Sequence, residues 1–168
     1  DTMIKLQENH LLGNVIQIEQ KILYSSAMIE TLAARVKFSV GLHSEGLRIY
    51  KEALIIYPQH RALIYDYAAA LLYDGSQKEA LKFINQQLRF TPNDISLYQL
   101  QAQAYQADGN TMLLHRALAE SYIRQGDFPR AIHQLELALS SENGDFYEIS
   151  SAESRLKELR NRLSLSEE

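Results

Sequence analysis

Apolar positions recur along the chain at helical spacing, interrupted at regular intervals by single glycines and prolines. Ile64, Tyr67, Ala68 and Leu71 follow one another at offsets of three, four and seven, which places them on one helix face, and Leu81, Ile84 and Leu88 repeat the pattern after Gly75. Gly41, Gly75 and Gly109 share an interval of 34 residues, and Pro58 and Pro92 keep the same interval. Gly46 and Ala80 each come five positions after the first two glycines, and Tyr50 and Ile84 four beyond those. Small and large apolar residues thus recur in phase, and each period holds two helices. Glycine suits a left-handed residue that ends the first helix, and proline suits the connection where the second must stop. The pattern predicts helix, turn, helix, turn.

The period breaks once. Gly126 follows Gly109 by 17 residues, half the interval. Thr111 to Gln125, carrying Leu118, Ala119 and Tyr122, is therefore predicted to act as second helix of one pair and first helix of the next. Phe128 to Ser141, with Ala131, Leu135 and Ala138, supplies its partner. The ends are of a different kind. Residues 1–24 carry Ile4, Leu11, Val15, Ile18 and Ile22 near helical spacing and are expected to form a leading helix packed on the first repeat. Residues 146–163 set Ile149, Ala152, Leu156, Leu159 and Leu163 against Glu153, Arg155, Lys157 and Glu158, the pattern of a capping helix with one wet face. The expected organisation is one helical-repeat domain over 1–168, with repeats over 27–143.

Arg61 to Asp94 resembles one complete tetratricopeptide repeat, with Tyr67, Ala68, Leu71, Gly75, Ala80, Ile84 and Pro92 at its consensus places. Ala27 to His60 is a weaker copy, with Lys37 where a large apolar residue is usual. The resemblance implies an all-α, right-handed superhelix of paired antiparallel helices with a C-terminal capping helix. It assigns Tyr50, Tyr67, Tyr105 and Tyr122 to packing between helices. It also implies that one stripe of the first helices lines a concave, protein-binding groove: Arg35, Tyr65, Tyr73, Gln99, Gln103, Arg116 and Glu120 fall on that stripe. The expected binding surface is this stripe and not the capping helix. Some such modules hold the carboxylate tail of a chaperone with Lys and Asn at these levels. Here the places read Thr31, Tyr65, Gln99 and Arg116, then Arg35, Ala69, Gln103 and Glu120, so the clamp is not reproduced.

Composition narrows the function classes. An apolar share of 46% suffices for a continuous core, and a net charge of -4 argues against a surface that tracks nucleic-acid phosphates. No apolar run approaches the roughly 20 residues that cross a bilayer, so membrane insertion is not expected. The chain has no cysteine, which excludes disulfides and thiolate metal sites. His10, His43, His60, His115 and His133 form no His-Glu-x-x-His motif; His133 and Glu136 share a face, and two ligands without a third read as an exposed polar pair. The glycines build neither a phosphate-binding loop nor a nucleophile turn. No catalytic residue, metal or cofactor is expected in this chain.

The last third carries a narrower resemblance. Leu114 to Tyr122, Gln125 to Phe128, Arg130 to Leu135, Gly144 to Tyr147 and Ser154 to Arg160 are similar to the closing repeats of bacterial zinc metallopeptidases related to the beta-barrel assembly-enhancing protease. In that family a catalytic zinc domain precedes the repeats. The resemblance implies a periplasmic, non-catalytic docking region whose zinc belongs to a separate domain. The partners it implies are outer-membrane proteins, their assembly machinery, other extended peptide segments, or the protease domain itself. A free-standing adaptor is the alternative. Since the chain opens at Asp1 and not at methionine, it reads as an excised or processed piece, with any targeting segment upstream.

Overall fold

The computed structural model describes residues 26–164. They are helical, with α1 over 26–39, α2 His43–Ile56, α3 Arg61–Tyr73, α4 Gln77–Phe90, α5 Ile95–Asp108, α6 Thr111–Gln125, α7 Phe128–Leu139 and α8 Phe146–Ser164. The all-α class holds, and among the described residues there is no strand. The expected capping helix is α8; the leading helix expected over 1–24 lies outside the described residues. The chain forms two compact units divided between Tyr67 and Ala68, within α3.

In the first unit, α1 buries Ala27, Thr31 and Ala34, an interval of four and then three that keeps them on one face. The Thr31 hydroxyl donates back to the Ala27 carbonyl at 2.9 Å, which satisfies a polar group that is otherwise covered. Gly46 sits where α2 meets the Phe38 ring: a Cβ there would stand 2.4 Å from a ring carbon, so the small residue is required by the crossing. Tyr50 and Tyr67 are both buried, with ring centroids 6.2 Å apart in a tilted pair. Lys37, which occupies a place usually apolar, is half-buried and directs its ammonium to Glu45 at 2.7 Å.

In the second unit, successive helices pack in chain order, α4 on α5, α5 on α6, α6 on α7 and α7 on α8. Thr111 to Gln125 forms a single helix, α6, that packs against both α5 and α7. Alanine dominates the crossings. Ala80, Ala104, Ala119, Ala131 and Ala138 are fully covered, beside the larger Ile84, Leu97, Met112, Leu135 and Leu159. The turns that end α5 and α6 use Gly109 and Gly126 at φ 76° and 78°, left-handed values that a side chain would oppose. The starts of α5, α6 and α7 are capped by Asp94, Asn110 and Asp127, whose side chains accept from backbone amides of the first turn.

Asn143 fixes the loop before α8. Its Oδ1 accepts from the Thr111 hydroxyl at 3.0 Å and the Met112 amide at 3.1 Å, and its Nδ2 donates to the Gly109 carbonyl at 3.1 Å. One side chain thus ties the α7–α8 loop to the α5–α6 turn. Beside it, a Cβ on Gly144 would lie 3.0 Å from Met112, so the loop backbone runs close against the core.

Two stability tests follow from this packing. Ala80→Arg forces a charge and a long side chain into a crossing with no space, and should cost on the order of 3 kcal/mol by urea denaturation. Asn143→Ala removes the partner of the Met112 amide and of the exposed Gly109 carbonyl and should cost about 0.5–1.5 kcal/mol. Hydrogen exchange should report faster opening of α8 in that variant before α4 and α5 respond.

Candidate protein-binding groove

The expected groove residues fall in both units. In the first, Tyr65 is half-buried on α3, and Arg35 lies on the outer side of α1 with 63% of its side chain exposed. The Arg35 guanidinium donates to Asp66 Oδ1 at 3.0 Å, with Oδ2 at the same distance. The hydrogen bond and charge of Asp66 push the Arg35 pKa up. Tyr50 stands beside this pair. Burial, and then the Asp66 carboxylate, raise its phenol from 10.0 to about 12. Arg35 is thus engaged in a structural pair within its own unit.

In the second unit, Tyr73 is exposed at the end of α3, and Gln99 and Gln103 are exposed on α5. Arg116 and Glu120 are half-buried on α6, one turn apart. These two residues line two open depressions, each of about 450 Å³. One depression runs between α5 and α6, where Tyr98, Gln101 and Tyr105 face Leu113, Arg116 and Arg124. The other runs between α6 and α8, where Tyr147, Ser150 and Ser154 face Arg116 and Glu120. Arg116, Glu120 and Arg155 border both. The α5 wall is formed by Tyr98, Gln101 and Tyr105, and Gln99 and Gln103 lie outside both depressions.

The electrostatics centre on Glu120. Its carboxylate accepts from Arg155, with Nε 3.2 Å from Oε1, and pairs closely with Arg124 one turn along α6. Arg155 also donates to Glu158 at 2.7 Å. Burial works against the Arg155 charge, yet Glu158 and Glu120 outweigh it and hold its pKa above the ordinary value. Arg124 lies over the Tyr98 ring at 4.2 Å and donates to the Pro92 carbonyl at 2.8 Å. Burial raises the Tyr98 and Tyr105 phenols above their ordinary value. Arg155 reaches Glu120 from 35 residues away, a pairing that no local spacing announces.

Such a surface offers hydroxyls, amides, guanidinium groups and aromatic faces, the set that satisfies a peptide backbone while supplying rigid apolar area. Among the described residues, no group of three or more His, Asp or Glu side chains is placed to hold a metal ion. None of the described helices is long and apolar enough to cross a membrane.

Comparison with known proteins bears on the repeat directly. Residues 38–104 match the tetratricopeptide repeat family model. That span takes in α2, α3, α4 and most of α5, so the tetratricopeptide repeat covers the segment where the period of 34 is regular. Among solved structures, the chain is similar to a thermophilic tetratricopeptide-repeat protein of Thermus thermophilus, at 21% identity over 82% of each chain and a TM-score of 0.43. No curated protein matches the chain.

The buried phenol near Arg35 gives a pH test. Between pH 10 and 12 the unfolded chain loses a Tyr50 proton that the folded chain keeps, so this residue's contribution to stability falls as pH rises through that window. Tyr50→Phe removes the linkage. From pH 8.5 to pH 11 its melting temperature should fall by about 2–4 °C less than that of the parent in calorimetry.

Proposed function

We propose that the chain is a protein-interaction module that holds an extended segment of a partner protein, and that in the second unit the contact surface is the pair of depressions along α6. The observation that carries this reading is the convergence of Tyr98, Tyr105, Tyr147 and Arg116 around one helix of a tetratricopeptide-repeat chain. Repeat arrays of this kind present such surfaces because each helix pair contacts only its neighbours and leaves one face continuous. The expected stripe residues Arg35 and Tyr65 offer contact positions on the first unit, and Tyr73, Gln99 and Gln103 exposed ones on the second. In this reading the chain itself catalyses nothing and needs no cofactor.

The similarity of Leu114 to Arg160 to the closing repeats of periplasmic zinc metallopeptidases supports a more specific role. There the module docks outer-membrane proteins, or the machinery that assembles them, for a protease domain that carries the zinc. Periplasmic location belongs to this proposal.

Photo-crosslinking tests the surface. A benzophenone side chain placed at Gln101 or Tyr147 should give products with a defined partner segment identified by mass spectrometry, and one at Lys82 on the exposed side of α4 should not. Tyr98→Ala combined with Arg116→Ala should weaken that partner about tenfold or more in calorimetry, the effect of losing one or two contact hot spots. Products from Lys82 equal to those from Gln101 would place the interaction elsewhere.

A further inference from the structure

The three arginines that border the depressions are not equivalent. Arg124 is committed to Glu120 and the Pro92 carbonyl, and Arg155 to Glu120 and Glu158. Among the described residues, Arg116 has neither a hydrogen-bond nor an ion-pair partner, and its charge is felt by the Tyr105 phenol. Yet it is half-buried and borders both depressions. Glu120 stands one turn away on the same helix, but its two oxygens are taken by Arg124 and Arg155. The five guanidinium donors of Arg116 are thus unused in a partly covered position, where an unpaired charge is unfavourable. Three arginines and two glutamates line the two depressions, so this surface is positive by one charge on a chain whose net charge is -4.

Resting on the function proposed above, we propose that Arg116 recognises an acidic side chain, Asp or Glu, inside the extended partner segment. Such a carboxylate would take both arms of the guanidinium in a bidentate pair, the strongest geometry this residue offers. The Tyr147 hydroxyl and the Ser150 and Ser154 hydroxyls line the same depression and are further donors for an anion there. An internal residue is favoured over a chain terminus because the two open depressions adjoin along α6 from Leu113 to Arg124. At 1.5 Å per residue that is roughly 16 Å of continuous path, the reach of about five extended residues passing through. The occupant chemistry follows from charge complementarity: a basic segment would meet Arg116 uncompensated, and a neutral one would leave it unpaired.

The test is a nuclear magnetic resonance titration of the whole chain with matched seven-residue peptides, capped at both ends, carrying Asp or Asn at the centre between two tyrosines. A third peptide has the Asn centre and a free C-terminal carboxylate. The Arg116 Nε–Hε signal and the α6 amides are followed. The Asp peptide should shift them saturably and bind on the order of tenfold tighter than the Asn peptide, the size expected for one charge-assisted pair. Arg116→Gln should erase that difference, Arg116→Lys should restore part of it, and circular dichroism melts should show both variants folded. Raising salt should shrink the difference.

Equal binding of Asp and Asn peptides, with shifts still confined to the depressions, would overturn the acidic preference while leaving the binding surface in place. Tighter binding of the peptide with the free C terminus would overturn the internal-residue assignment. No shift at any residue of the two depressions, with any peptide, would count against both the acidic preference and the surface itself.

Discussion

The close approach of helices at alanine is the constraint on which the second unit depends. Ala80, Ala104, Ala119, Ala131 and Ala138 are fully covered, so each offers only a methyl group to the packing around it. Interiors packed at that density do not accept an added side chain without moving the helix that carries it. Tyr98 on α5, Arg116 on α6 and Ser154 on α8 line the depressions, so the separation of these side chains follows from how their helices pack. The shape of the depressions thus depends in part on small residues that do not line them.

The half-period between Gly109 and Gly126 adds a second constraint. A regular repeat would place one helix pair beside the next, but α6 serves both α5 and α7. The chain then needs something to close the end of the stack, and α8 does so with Ala152, Leu156 and Leu159 against Met112, Ala119 and Leu135. The hinge of that closure is polar: Asn143 bonds the α5–α6 turn with both ends of its amide. A buried apolar face gives α8 its affinity for the core, and Asn143 gives it its place.

Much of this architecture is written in the spacing of residues along the chain. Four glycines mark the left-handed turns, and all four adopt φ between 76° and 80°. The shared helix is legible because Gly126 falls half a period after Gly109. The site is less so. Arg116 and Glu120 follow from the periodic stripe, as local spacing places them on one face of α6. Tyr105, by contrast, sits at a position that reads as packing, yet it is half-buried and lines a depression, and Tyr98 beside it on α5 carries no mark of its own in the period. The contribution of α8 is hidden too. Its polar face reads as a solvated cap, and only the fold brings Arg155 to Glu120 and turns that face into a wall. Contacts between residues more than thirty apart leave no periodic trace.

The same merger accounts for the charge pattern along α6. A helix with one packed neighbour can spread its polar residues over a broad arc, but α6 buries Met112, Ala117, Ala119 and Ser121 between two neighbours and retains a narrow open stripe. Leu113, Arg116, Glu120 and Arg124 occupy it at successive helical turns. On such a stripe a single glutamate between two arginines cannot serve both fully. Glu N-terminal to the cation at i, i+4 is the better order, which favours Arg124, and the remaining capacity of Glu120 goes to Arg155 arriving from α8. Arg116, on the N-terminal side, is left without a carboxylate by the order of residues on one helix combined with the position of another.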